Sequence, residues 1–95
     1  MGIFADVTGF QWDVGNQDKI LKKHGLKPEE CEDVFQDPKR QFYPDIRHYA
    51  LEARHLVTGE TRNGKVLFVA FTMRNGLVRI ISARPINRKE RYLYE

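Results

Sequence analysis

The spacing of apolar residues changes along this chain, dividing it into a helical first part and a strand-rich second part. Gly9-Phe10-Gln11-Trp12-Asp13 alternates apolar and polar residues at period two, which predicts a short strand after a leader of residues 1–8. Asp13 stands where a helix can begin. Residues 16–24 then follow a helical pattern with Ile20 and Leu21 on the buried side, and Gly25 supplies a left-handed C-cap. Pro28 suits the first turn of a second helix, and Glu29 and Glu30 complement its N-terminal dipole. Cys31, Val34 and Phe35 fall at i, i+3 and i+4 on one face, and Asp37-Pro38 stops the helix.

The remainder reads as strands at residues 40–43, 51–58, 65–73 and 77–84. Asn63-Gly64 and Asn75-Gly76 are hairpin-turn signals, so the last three strands are expected to form an antiparallel meander. Val66-Leu67-Phe68-Val69-Ala70-Phe71 is apolar at both parities, which places that strand at the sheet centre with helices over one side and other cover on the second. Residues 87–94 form a final helix too short to be stable without packing. The predicted architecture is α+β: a short N-terminal strand, two helices, an antiparallel sheet of about four strands and a short C-terminal helix.

At 95 residues the chain has room for one domain, residues 1–95, with a modest core. Its 41% hydrophobic and 31% charged residues, with a mean hydropathy of -0.58, are those of a globular rather than a disordered chain. No apolar run approaches the roughly 20 residues that span a bilayer, and the first ten residues lack a signal pattern, so the expectation is a cytoplasmic protein with no membrane association. The single cysteine, Cys31, reads as a small core residue rather than a nucleophile.

The net charge of +3 conceals an asymmetry: residues 1–61 carry 8 basic and 11 acidic side chains, whereas residues 62–95 carry 8 basic and 2 acidic. A basic half of this kind attracts polyanions with salt-dependent affinity, although a solvated face or a docking site for an acidic protein has the same charge signature. Its densest part is RIISARPINRKERYLY, residues 79–94, where a strand end passes into an arginine-rich segment with interleaved tyrosines.

Arg84 stands at that strand end, and its planar fork makes it the first candidate for binding a phosphate. Arg79, five residues earlier, falls on the opposite face of a regular strand, so both serve one site only if a bulge or twist intervenes, and otherwise one of the two is a structural or partner-contacting residue. His48, within Asp45-Ile46-Arg47-His48, is the candidate for proton transfer, its unperturbed pKa of about 6.5 suiting either acid or base; an exposed loop histidine is the alternative. Tyr94 and Tyr92 offer a hydroxyl or a ring for stacking, or simply dock the last helix. Arg54, Arg74, Arg88 and Arg91 are further candidates for contacting an RNA backbone. Arg54 also shares a strand face with Glu52 by parity, so the two can pair instead. Trp12 and Asp13 read as core packing and helix capping, and His24 as a group at a helix C-terminus. The three histidines with Cys31 lack zinc-ligand spacing, and the carboxylates of Glu29, Glu30, Glu32 and Asp33 form a helix surface; neither a metal nor another cofactor is expected.

Several of these segments, in order, resemble the BrnT family, the toxin half of a bacterial type II toxin–antitoxin pair with a fold similar to RelE ribonucleases. The resemblance runs from Phe10 to the end of the chain. It is carried by Phe10-Gln11-Trp12-Asp13, Lys23-His24-Gly25, Glu29-Glu30 and Val34-Phe35-Gln36-Asp37-Pro38, then by Thr72 with Arg74, Arg79-Ile80-Ile81-Ser82-Ala83-Arg84, and Glu90-Arg91 with Tyr94. It implies a metal-independent endoribonuclease toxin acting on RNA, for which the chemistry of the residues offers Arg84, His48, Arg79 and Tyr94 as candidate catalytic residues. The implied partner is a cognate ribbon-helix-helix antitoxin that binds DNA and assembles with the toxin as a heterotetramer. Asn16, Ile20 and Pro85 depart from the family pattern, which holds a lysine, an asparagine and an arginine there. Those departures support the alternative, a module that binds antitoxin or RNA without cleaving.

Overall fold

The computed structural model describes residues 9–45 and 53–95. Its elements are β1 (Phe10–Gln11), α1 (Val14–His24), α2 (Pro28–Asp33), a 3₁₀ turn (Val34–Gln36), β2 (Gln41–Pro44), β3 (His55–Glu60), β4 (Val66–Arg74), β5 (Leu77–Pro85) and a C-terminal 3₁₀ helix (Arg88–Leu93). The sheet has the order β1-β5-β4-β3-β2. Its β2 to β5 part is the expected antiparallel set of four, and β1 adds a fifth strand by pairing parallel to β5, Phe10 with Val78 and Gln11 with Arg79. The expected start of β3 at residues 51 and 52 lies outside the described residues.

Local chemistry fixes the helix ends. Asp13 caps α1 by accepting the Asn16 N–H at 3.1 Å, and Gly25 closes it at φ 66° with its N–H on the Leu21 carbonyl. The helix therefore begins at Val14, two residues before the periodic stretch that predicted it. The second helix becomes a 3₁₀ turn from Val34, and β3 packs closely against it there: a Cβ at Gly59 would lie 2.7 Å from the Val34 carbonyl oxygen, a gap only glycine leaves free. Asn75 and Gly76 both adopt positive φ, 52° and 79°, as a tight hairpin turn demands. The Asn63-Gly64 connection is wider than the two-residue turn its sequence suggests. Glu60 pairs with Val66, and the intervening residues close through Thr61 N–H to Lys65 O at 2.7 Å and Gly64 N–H to Thr61 O at 3.0 Å.

β4 sits at the sheet centre, as its two apolar parities predict. Leu67, Val69 and Phe71 join Val57, Val78, Ile80 and Ala83 in a core closed by Ile20, Leu26, Cys31, Val34 and Phe35 from the helical part. Cys31 is a core residue with its thiol pushed up to about 12 by burial and then by the neighbouring carboxylates of Glu30 and Glu32, which is the opposite of an activated nucleophile. Trp12 packs against this core and donates its indole N–H to Glu32 at 2.8 Å.

Glu30 ties α2 to the β3–β4 connection. Its carboxylate accepts Lys65 Nζ at 2.8 Å, the Lys27 N–H at 3.0 Å and Asn63 Nδ2 at 3.2 Å, contacts that hold it at about 2 rather than 4.5 against the opposing effect of burial. A depressed folded-state value means that its stabilisation is complete above the unfolded value and drains away as pH falls towards the folded one. Thermal stability is therefore expected to drop between pH about 5 and about 2, and Glu30→Gln to flatten that part of the profile while lowering stability at neutral pH. Melting curves of both proteins across that range measure it.

Candidate functional site

The face of the sheet turned away from α1 and α2 is built by the other parity of each strand; it is buried at Thr58, Ala70 and Thr72 and open along its β5 margin at Ser82. The strand register aligns Arg84 with Phe68 and Thr58, then Ser82 with Ala70, Leu56 and Tyr43, then Arg79 with Thr72. Arg79 and Arg84 therefore share one face despite being separated by an odd number of residues. The cause is a β-bulge: Phe71 pairs with Ile80 and Ala70 with Ser82, so Ile81 is an extra residue on β5 and reverses the parity beyond it. The two arginines lie opposite Thr72 and Phe68, about 13 Å apart along the strands. Arg74, at the hairpin, has the same parity, and Arg54 precedes β3 at the parity opposite to the core-facing His55.

Neither β5 arginine stands alone. Arg79 lies 3.4 Å from the Asp13 carboxylate, the same side chain that caps α1. Arg84 makes a two-pronged pair with Glu90, Nη1 to Oε1 at 2.7 Å and Nη2 to Oε2 at 2.6 Å, while its guanidinium centre lies 4.7 Å from the centroid of the Phe68 ring. Glu90 also accepts the Asn87 N–H at 3.2 Å, and Asn87 Oδ1 accepts the Glu90 N–H at 3.0 Å, so the carboxylate that fills the Arg84 fork also starts the C-terminal 3₁₀ helix. Hydrogen bonds from Arg84, opposed by burial, hold Glu90 below the ordinary carboxylate range. Sequence reading missed Glu90 as a site residue; its spacing of three from Asn87 is the capping signal that marks it.

The C-terminal helix is fastened over the β2–β3 side of this face. The Leu93 carbonyl accepts the Tyr43 hydroxyl at 2.5 Å and the Thr58 hydroxyl at 3.0 Å. Tyr94 donates its hydroxyl to Asp37 at 2.5 Å, and burial followed by that carboxylate raises its pKa to about 12. Asp37 also accepts the backbone N–H groups of Lys39 and Glu60, which together with Tyr94 overcome the upward effect of burial and lower its pKa. In this conformation Tyr94 is an anchor for the helix rather than a proton donor to the open face. Arg88, Arg91 and Tyr92 are exposed on the same helix, Tyr92 at 72%. His55 packs against Phe71, its pKa lowered by burial, whereas His48 and Glu52 lie outside the described residues. Among the described residues no group of three or more His, Cys, Asp or Glu side chains is arranged to hold a metal, and no helix is long and apolar enough to cross a membrane.

The energies of the two pairs differ in a way that matters for an incoming polyanion. A single-pronged surface ion pair contributes about 0–1 kcal/mol, so Arg79 can exchange Asp13 for a phosphate at small cost. The two-pronged pair of Arg84 is stronger, and its side chain is 38% exposed against 21% for Glu90. A phosphate reaching the Nη1/Nη2 edge of Arg84 has to compete with Glu90 for it.

No curated protein matches the chain in sequence. The fold is similar to that in the 1.1 Å crystal structure of the Brucella abortus ribonuclease toxin, BrnT, with a TM-score of 0.64 at 19% identity over 84% of this chain and 97% of that one. Residues 12–90 match the family model described as ribonuclease toxin, BrnT, of type II toxin–antitoxin system. That match runs from Trp12 through Glu90, including both β5 arginines and the bulge between them, and the chain belongs to the BrnT family of type II ribonuclease toxins.

Proposed function

We propose that the protein is an endoribonuclease that cleaves RNA without a metal ion and is neutralised by a ribbon-helix-helix antitoxin, two copies of each forming a heterotetramer. The supporting observation is the Ile81 bulge, which turns Arg79, Ser82 and Arg84 onto one sheet face, opposite α1 and α2, where Ser82 is exposed and both arginines are half-buried. In the proposed reaction the ribose 2′-oxygen attacks phosphorus and the bond to the 5′-oxygen breaks, leaving a 2′,3′-cyclic phosphate and a 5′-hydroxyl. Arg84 and Arg79 offset the charge that grows on the phosphoryl oxygens, and His48 moves the proton. Arg54, Arg74, Arg88 and Arg91 hold the flanking backbone, and Tyr94 keeps the C-terminal helix in place beside it.

The test is cleavage of an end-labelled single-stranded RNA by the purified chain in EDTA. Cyclic-phosphate ends from the parent protein, lost in His48→Ala, are the expected result. A second reading, binding without cleavage, is favoured by one observation: the Nη1 and Nη2 groups of Arg84 are already engaged by Glu90. RNA that is bound, as seen by a mobility shift, but left intact at high protein concentration with or without EDTA establishes that reading instead; cleavage that EDTA abolishes overturns the metal-free mechanism.

A further inference from the structure

β1 covers the outer edge of β5 only at Val78 and Arg79, so from Ile80 onwards that edge has no strand partner among the described residues. α1 lies beside it, and Asn16 Nδ2 approaches the Ile80 carbonyl at 3.5 Å. Where the bulge pushes β5 out of line, helix and strand part to leave a notch of about 100 Å³. Ile20 and Ala83, both buried, line it together with the bulge residue Ile81, and Lys19, Lys23, His24 and Ser82 complete it. Lys19 and Lys23 are four residues apart and therefore stand one above the other on the same helix face.

Ser82 belongs to two places at once. It lines the notch, and it is also the exposed residue between Arg79 and Arg84 on the open face. A chain of phosphates lying across that face can therefore pass from the arginines over the edge of the sheet at Ser82 to Lys19 and Lys23. The end of α1 carries about half a negative charge, which opposes an anion; Lys19 and Lys23 bring a full positive charge each and reverse the sign. Among the described residues no carboxylate lines the notch. Two wider grooves on the protein, about 290 Å³ each, have the opposite balance: Asp33, Asp37 and Glu60 line one and Glu29, Glu32 and Asp33 the other, with Arg62 as the one cation in each. Three carboxylates against one arginine disfavour both as a path for a nucleic acid.

We propose that the Lys19–Lys23 notch is a second phosphate subsite, taking the RNA backbone as it leaves the open face at Ser82. The proposal rests on the reading of the open face as the RNA site, and it extends the bound segment beyond the arginines. It assigns α1 a direct role in holding substrate, with Lys19 and Lys23 contacting a phosphate that is not the one cleaved.

The test measures binding of a dye-labelled single-stranded RNA to the full chain over a range of salt concentrations. Lys19→Gln/Lys23→Gln is expected to weaken binding about tenfold at low salt and to reduce the slope of log affinity against log salt by about 0.7 for each phosphate no longer neutralised. Ser82→Asp, which places a charge at the mouth of the notch, is expected to weaken binding similarly. Lys22→Gln, an exposed substitution on the same turn that does not line the notch, is expected to leave affinity unchanged. If Lys22→Gln weakens binding as much as the double substitution, the effect is net charge alone and the subsite is overturned. If Arg84→Ala weakens binding while the double substitution and Ser82→Asp do not, the subsite is overturned and the open face stands as the RNA site. If none of the variants changes a measurable affinity, or the parent binds no RNA, the reading of the open face fails as well. Unchanged melting temperatures show that the variants fold.

Discussion

Arg84→Ala is expected to slow RNA cleavage by about 10²–10³-fold, the usual effect of removing one preorganised donor from a site where negative charge grows. The loss should fall on kcat more than on KM, because Arg79 and the basic helix still attract the backbone. Arg84→Lys is expected to restore little, since an ammonium group cannot reproduce the planar fork that Glu90 now engages at 2.7 and 2.6 Å. Glu90→Gln separates the two readings of this pair. Glutamine can still cap the helix start at Asn87, but it gives up the charge that competes with phosphate. If Arg84 binds phosphate, Glu90→Gln binds RNA more tightly than the parent. If Arg84 only fastens the C-terminal helix, both substitutions lower the melting temperature and neither changes RNA affinity.

The second large effect concerns the scaffold. Phe71→Ala is expected to destabilise the protein by about 3–5 kcal/mol, as a truncation that leaves a cavity where neighbours cannot collapse. Phe71 is fully buried, and its ring meets Phe35 edge-on at 5.0 Å, Phe42 at 6.1 Å and His55 at 5.5 Å. Domains of this size are stable by only about 5–15 kcal/mol, so the substitution removes a large share of the margin. Phe71 also stands opposite Ile80, where the bulge begins, so relaxation of the cavity is expected to disturb the alignment of Arg79 and Arg84. Denaturant unfolding gives the first quantity. RNA affinity measured well below the melting transition gives the second.

The elements with strong local signals were legible in the sequence. Asp13 and Gly25 bound α1, Asn75-Gly76 forms the tight turn, and the doubly apolar run in β4 lies at the sheet centre. The parallel attachment of β1 was not legible, because two residues carry no signal of which edge they will join. Nor was the closure of the Arg84 fork, since a contact between a strand end and a helix start depends on how the chain turns at Pro85-Ile86-Asn87. Parity put Arg79 and Arg84 on opposite faces unless a bulge intervened. One does, at Ile81, and a residue type with high strand propensity gives no hint of it.

That single extra residue has a consequence for tracing this site in other sequences. Two arginines on one face of a regular strand are separated by an even number of positions, whereas the pair here is separated by five. A relative lacking the bulge would present the same two guanidinium groups at a spacing of four, and an alignment that scores columns would register a deletion where the surface is unchanged. Equivalent residues in such chains are better identified by the β4 residue each arginine faces, Thr72 or Phe68, than by counting along β5.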